Sequence, residues 1–140
     1  MAAERNRNRY YFFVFLTLGA TMGIFLSADL FTTFIFFEIM SFTSFVLVMH
    51  DEEDFTVRSA KTYLAVAVIG GLVTLMGLFM MYQKAGTLNM TELTAFMQSR
   101  ENPAEFYAIG VLILFGFAAK AGLFPLHIWL PNAYTVAPAP

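Results

Sequence analysis

The sequence predicts an all-α integral membrane chain. Hydrophobic residues make up 59% of it, charged residues only 13%, and the mean hydropathy is +0.66. The apolar residues are gathered into runs, and a helix of roughly 20 such residues crosses a hydrocarbon layer about 30 Å thick. This composition excludes an ordinary soluble domain. The formal charge of −2, without a large basic patch, gives no indication of nucleic-acid binding.

Four apolar segments are predicted to be transmembrane helices, within one membrane unit from residue 10 to residue 140. Their bounds are about 10–27, 30–49, 59–82 and 106–126. The fourth is expected to be broken near Pro125, because proline removes a backbone donor and clashes with the preceding turn. Residues 83–105 form a polar connector, in which a short surface helix can start at Thr91.

Basic residues before, between and at the ends of these segments predict the orientation. One side carries Arg5, Arg7, Arg9, Arg58 and Lys61, and the other carries Lys84 and Arg100. By the positive-inside rule, the basic segment 1–9 is cytoplasmic, in a multi-pass protein of the cell inner membrane. A basic start before an apolar run is also typical of a secretory signal peptide. This run is long for such a peptide, however, and the second segment follows almost at once.

Two ionisable residues lie deep within apolar segments. Glu38 is ~13 Å along the helix from Asp29, near the middle of the layer, and Lys120 is similarly deep in the fourth segment. A charge at that depth costs about 2.5–3.5 kcal/mol and usually faces a protein interior or a hydrated cavity. The two residues therefore predict an ion or proton path. The alternative is a static pair that holds helices together.

Further residues are candidates for the same path on weaker arguments. Ser41 follows Glu38 by three positions, which places its hydroxyl on a neighbouring face of the helix. Lys61 either extends to the membrane interface or turns inward as a cation near Glu38. His127 lies beyond the expected helix break, and either lines the path or lies with Trp129 at the level of the lipid headgroups.

Cysteine is absent from the sequence, which excludes a disulfide framework and a thiolate site for zinc or an iron–sulfur cluster. No motif for flavin, haem or nicotinamide is recognisable, so we expect no cofactor and no metal in this chain. A hydrolase is not indicated either, because Ser41, His50 and Asp51 lie on one helix and its end. Whether the chain belongs to an enzyme stays open, since any oxidoreductase chemistry would belong to a larger assembly.

The stretch 118–140 carries a recognisable pattern. Its matching residues are Lys120, Gly122, Pro125, His127, Trp129, Leu130, Pro131, Ala133, Ala137 and Pro138. Glu38 with its flanking helix, Lys61-Thr-Tyr63 and Gly86-Thr-Leu88 agree with it. Together they resemble the antiporter-like proton-conducting subunits of respiratory complex I, membrane-bound nickel-iron hydrogenases and multisubunit sodium/proton antiporters. Asn132 and Tyr134 depart from that pattern, and we assign proton transfer to neither.

The resemblance implies part of a larger inverted-repeat transporter fold, corresponding to its fourth to seventh helices. The chain is accordingly expected to be a fragment or a split gene product. Glu38 and Lys120 would be the paired glutamate and lysine of one proton half-channel. Lys61 would be an inward-facing neighbour, and His127 a weaker candidate for the hydrated path.

The function expected from this resemblance is proton translocation in a redox-driven membrane complex. NADH dehydrogenase and hydrogenase types are both possible, and the segment 136–140 favours the hydrogenase type. The alternatives are a sodium/proton antiporter component and a non-conducting structural subunit. The expected partners are other membrane subunits and the lipid bilayer, and the transported ions are protons or also sodium.

Overall fold

The computed structural model describes residues 7–49, 54–100, 104–123, 127 and 129–131. Within these ranges the chain forms five helices. They are α1 (Arg7–Leu26), α2 (Leu30–Val48), α3 (Asp54–Ala85), α4 (Met90–Gln98) and α5 (Ala104–Ala121). Every described helix except α4 is long and apolar enough to cross a membrane. The prediction of an all-α integral membrane chain with four spanning helices is confirmed.

Helix α3 extends beyond the predicted segment 59–82 at both ends. Its 32 residues span ~48 Å, which exceeds the roughly 30 Å thickness of a hydrocarbon layer. Arg58 near its start and Lys84 in its last turn supply the polar ends. The run of apolar residues therefore predicted the middle of this helix, but it did not predict the polar turns at its two ends.

Helix α4 is the short helix expected within the polar connector. It begins at Met90, because the side chain of Asn89 accepts hydrogen bonds from the backbone N–H groups of Thr91 and Glu92. Such a cap satisfies donors that the first turn of a helix leaves without partners. Leu93 is buried and faces the other helices. The connector therefore returns to the bundle and covers its apolar interior at this end.

Small residues allow α3 and α5 to approach closely. A Cβ atom added at Gly70 would lie 3.0 Å from the carbonyl oxygen of Gly116 and 3.2 Å from the Cβ of Ala119. One added at Gly116 would collide with the Thr74 hydroxyl. Without a hydrophobic driving force between helices in lipid, close packing of this kind is what holds them together.

Helix α1 packs against α2, and α2 packs against α3. The ring of Phe36 on α2 lies over Gly23 on α1, where an added Cβ would be 2.5 Å from the ring. The Thr17 hydroxyl of α1 donates to the Thr43 hydroxyl of α2 over 2.8 Å. Helix α2 is thus held between α1 and α3.

A buried apolar cluster lies where α4 covers α3 and α5. Its buried members are Leu78, Met81, Leu93, Phe106, Ile109 and Ile113. The outer faces of the spanning helices are apolar and exposed, as at Phe15, Phe25, Leu72, Met76, Val111 and Leu114. Exposed apolar surface on this scale is expected where a chain faces lipid or other membrane subunits.

The turn between α1 and α2 is joined to the loop before α4. Residues Asp29 and Asn89 form an antiparallel β-bridge, with backbone hydrogen bonds of 2.9 and 3.1 Å between the segments 28–30 and 88–90. Asp29 also caps α2, because its side chain accepts from the backbone N–H of Thr32 over 2.8 Å. The start of the helix that carries Glu38 is therefore fixed by two kinds of contact.

Replacing Asp29 with Ala is expected to lower the stability of the folded chain by about 0.5–2 kcal/mol, the usual cost of losing an N-cap. Hydrogen bonds from the hydroxyl and the backbone N–H of Thr32 hold the pKa of the Asp29 carboxyl below its ordinary value. A lowered pKa stabilises the fold above the ordinary pKa, and this contribution is lost as the pH falls through the lowered value. Thermal unfolding of the detergent-solubilised protein at neutral and acid pH measures both effects. Asp29→Asn should keep most of the cap without its pH dependence, and equal unfolding temperatures for wild type and Asp29→Ala would contradict the assignment.

Candidate functional site

Glu38 lies in the middle of α2 on the side that faces α3. Its side chain is 21% exposed. Gly71 of α3 lies against its carboxylate, and a Cβ atom added at Gly71 would be 2.8 Å from Oε1 of Glu38. The missing side chain at Gly71 therefore makes room for the carboxylate between the two helices.

Lys120 lies in the last turn of α5, and its side chain is only 5% exposed. Its Nζ donates a hydrogen bond to Oε1 of Glu38 over 2.8 Å. A second hydrogen bond of 3.4 Å goes from Nζ to the backbone carbonyl of Phe37. A cation in the last turn of a helix also interacts favourably with the helix dipole. The two intramembrane charges predicted from the sequence therefore form one buried ion pair.

Aromatic rings form a wall of this site. The Nζ of Lys120 lies 4.4 Å from the centroid of the Phe37 ring, a cation–π distance. Phe37 in turn meets Phe117 of α5 edge to face, with ring centroids 4.7 Å apart. These rings exclude water from one side of the pair and lower the local dielectric. In such surroundings the attraction between the two charges is strong, and so is the cost of removing one of them.

Helix α5 ends directly after Lys120 because of Gly122. Gly122 has a φ of +69°, which only glycine adopts readily. Its N–H points to the carbonyl of Ala119 at 3.4 Å, and the N–H of Leu123 donates to the carbonyl of Ala118 at 3.0 Å. This pair of bonds is the Schellman motif that ends many helices. Farther along, residues 129–131 have α-helical backbone.

Helix α5 stops at Ala121, earlier than the expected end near residue 126. The physical reason for this earlier end is Gly122 with its positive φ. Pro125 lies outside the described residues, and its part in the break stays a prediction.

The other predicted site residues lie elsewhere. Lys61 is exposed on α3, and its role as an inward-facing neighbour of the pair stays a prediction. His127 is exposed as well. The Ser41 hydroxyl donates to the carbonyl of Phe37 over 2.7 Å rather than to Glu38. Since Lys120 contacts the same carbonyl, Ser41 is linked to the pair through the backbone.

Sequence reasoning did not single out Tyr63 or Gly71 as site residues. Tyr63 entered only as part of a matching motif. Gly71 lies against the Glu38 carboxylate and Tyr63 is buried between helices. The nearest signal in the sequence is the glycine pair 70–71 within an apolar helix, which is typical of a close helix contact.

Comparison with known proteins places the chain in a known family of membrane subunits. Residues 27–140 match the family model described as "NADH:quinone oxidoreductase/Mrp antiporter, TM". The chain is similar to a Na(+)/H(+) antiporter subunit of Alkalihalophilus pseudofirmus, with 34% identity over 139 residues, which are 99% of this chain and 28% of the relative. It is also similar to the corresponding Na(+)/H(+) antiporter subunit of Bacillus subtilis, with 32% identity over 136 residues, 97% of this chain and 28% of the relative.

A solved structure shows the same fold. A chain in the structure of the membrane-bound sulfane sulfur reductase, an archaeal respiratory membrane complex, superimposes with a TM-score of 0.79 and 31% sequence identity. The match covers 88% of this chain and 25% of that one. This chain therefore spans about a quarter of the length of the relatives that it matches. It belongs to the NADH:quinone oxidoreductase/Mrp antiporter family of transmembrane subunits.

Proposed function

We propose that this chain translocates protons through the Glu38–Lys120 pair, as part of an antiporter-like subunit of a multisubunit membrane complex. The observation that carries the proposal is the 2.8 Å bond between Lys120 Nζ and Glu38 Oε1, which joins two membrane-spanning helices. Ionisable residues at such depth are rare outside ion and proton paths. The family of the chain supports the same conclusion.

The proposed mechanism is a change of partner by Lys120. While Nζ is bonded to Glu38, both charges are compensated. When Nζ moves to another acceptor, the carboxylate is left uncompensated in a site of low dielectric, and taking up a proton removes that cost. The return of Lys120 expels the proton. Glu38 is thus the proton carrier, and Lys120 is the cation that controls it.

The energy for net transport must come from outside this chain. Moving one proton against 100 mV requires about 2.3 kcal/mol. We propose that the driver is a sodium gradient, because the relatives described above are named sodium/proton antiporter subunits. A redox-driven complex is the second candidate, supported by the respiratory complex among the structural neighbours. The hydrogenase type favoured by the segment 136–140 stays a prediction.

We further propose that the α1–α2 turn and the loop before α4 face away from the cytoplasm, with the N-terminus cytoplasmic in the inner membrane. The bridge between residues 28–30 and 88–90 puts these two connections at the same end of the bundle. The basic residues of segment 1–9, with Arg58 and Lys61, belong to the opposite end. The positive-inside rule assigns that end to the cytoplasm.

The test is proton uptake by vesicles that contain the full-length parent protein in its assembly. Lys120→Ala is expected to abolish uptake, because nothing then drives the proton off Glu38. Since an unpaired buried charge costs about 3–5 kcal/mol, the amount of assembled complex must be measured alongside. Normal uptake by assembled Lys120→Ala complex would refute the relay. Sodium-dependent uptake without an electron donor supports the antiporter, whereas uptake that requires a donor supports the redox-driven complex.

A further inference from the structure

Two aromatic residues outside the ion pair lie against each other in the protein interior. Tyr63 of α3 is 6% exposed and Trp129 is 7% exposed. Their ring centroids are 4.9 Å apart at an interplanar angle of 59°. Val48 and Ala60 complete the buried cluster around them. This burial differs from an aromatic belt at the headgroups, where tryptophan and tyrosine reach the interface.

The Tyr63 side chain bonds to the helix that carries Glu38. Its hydroxyl donates to the backbone carbonyl of Ser41 over 3.2 Å. Ser41 lies one helical turn from Glu38, and its own hydroxyl holds the carbonyl of Phe37, which Lys120 also contacts. Tyr63 therefore fixes α2 immediately beside the ion pair.

The Trp129 side chain bonds to the helix that carries Lys120. Its indole Nε1–H donates to the backbone carbonyl of Ala119 over 2.9 Å. Carbonyl groups in the last turn of a helix lack intrahelical partners, and Gly122 approaches this one only to 3.4 Å. The indole thus holds the backbone one residue before Lys120.

These contacts form a continuous connection from α2 to the end of α5. It runs from the Ser41 carbonyl to the Tyr63 hydroxyl, across the two rings, and from the indole N–H to the Ala119 carbonyl. We propose that Tyr63 and Trp129 are positioning residues of the proton relay, which set the distance between Lys120 and Glu38. The inference rests on the proposed function of that pair. It implies that Lys120 changes partners by rotating its side chain, while its backbone stays in place.

Tyr63→Phe and Trp129→Phe test this inference, because each keeps an aromatic ring and removes one hydrogen bond. Both are introduced into the full-length parent in its assembly, and proton uptake is measured over a range of pH. Both variants are expected to assemble, to lose roughly tenfold or more in uptake rate, and to shift the pH dependence of uptake. Misplacement of a reacting group by about 1 Å costs up to ~100-fold. Tyr107→Phe is the matched control, since Tyr107 of α5 is 66% exposed, and it should behave as wild type.

A purely structural role predicts another result. Uptake would then fall only in proportion to the amount of assembled complex, with an unchanged pH profile, and this outcome overturns the inference. If the complex with Trp129→Phe fails to assemble, the Tyr63→Phe variant alone tests the inference, because that substitution removes only one oxygen atom. Lys120→Ala is measured in the same vesicles. If Lys120→Ala loses proton uptake while both aromatic variants keep a normal pH profile of uptake, only this inference is refuted. If Lys120→Ala retains uptake, the proposed function itself is refuted.

Discussion

Glu38→Gln is expected to abolish proton movement while the complex still assembles. Glutamine has nearly the same shape, and its carbonyl oxygen can still accept the hydrogen bond from Lys120 that now measures 2.8 Å. It cannot ionise, however, so it cannot take up and release a proton at any working pH. Proton uptake by vesicles with the assembled full-length parent measures the effect, and the expected residual rate is close to that of empty vesicles.

The chain supplies a matched control for this substitution. Glu105 forms an ion pair with Lys84 near the membrane surface, and its side chain is 71% exposed. Exposed pairs of this kind contribute little, so Glu105→Gln should leave uptake and stability unchanged. If Glu38→Gln kept normal uptake and only lowered the thermal stability of the complex, Glu38 and Lys120 would be a static structural pair.

Gly116→Val is expected to disrupt the packing of α5 on α3. A Cβ atom at this position would collide with the Thr74 hydroxyl and with the carbonyl oxygen of Gly70. Neither group can move away easily, since the Thr74 hydroxyl is itself bonded to the Gly70 carbonyl over 2.9 Å. Overpacking usually costs about 1–3 kcal/mol. We expect the upper end of that range or more, because backbone atoms must shift.

The measurement is the thermal stability of the assembled complex, together with the amount recovered after solubilisation. Gly110→Val on the same helix is the control, because a Cβ atom at Gly110 meets nothing within 4 Å. Displacement of α5 would also separate Lys120 from Glu38, so Gly116→Val complex that does assemble should transport protons slowly. Wild-type stability for Gly116→Val would show that α3 and α5 do not approach as closely as described.

The spanning helices could be predicted from hydropathy alone, because a bilayer requires long apolar runs. The choice of Glu38 and Lys120 also followed from the sequence, since a charge within such a run is costly and seldom without a role. Their contact could not be predicted from the residues themselves. The two residues are 82 positions apart, and the approach of α2, α3 and α5 depends on space left by Gly71 and Gly116.

Two features could not be predicted from the sequence pattern: the residue at which α5 ends and the position of the Trp129 side chain. Proline was expected to break the fourth segment, whereas Gly122 with its positive φ ends α5. Glycine just after the last turn of a helix is a known stop signal, but within an apolar run it equally indicates a packing surface. The indole of Trp129 could lie at the headgroups or in the interior, and only the fold decides between these positions.

Infrared difference spectroscopy of the assembled complex can show whether Glu38 changes its protonation state during transport. A protonated carboxyl has a C=O stretching band that the ionised carboxylate lacks. The proton-carrier role of Glu38 predicts that such a band appears and disappears as a proton gradient is imposed and released, is absent in Glu38→Gln, and persists in Glu105→Gln. Identical difference spectra for wild type and Glu38→Gln, from complexes that transport protons, would contradict it.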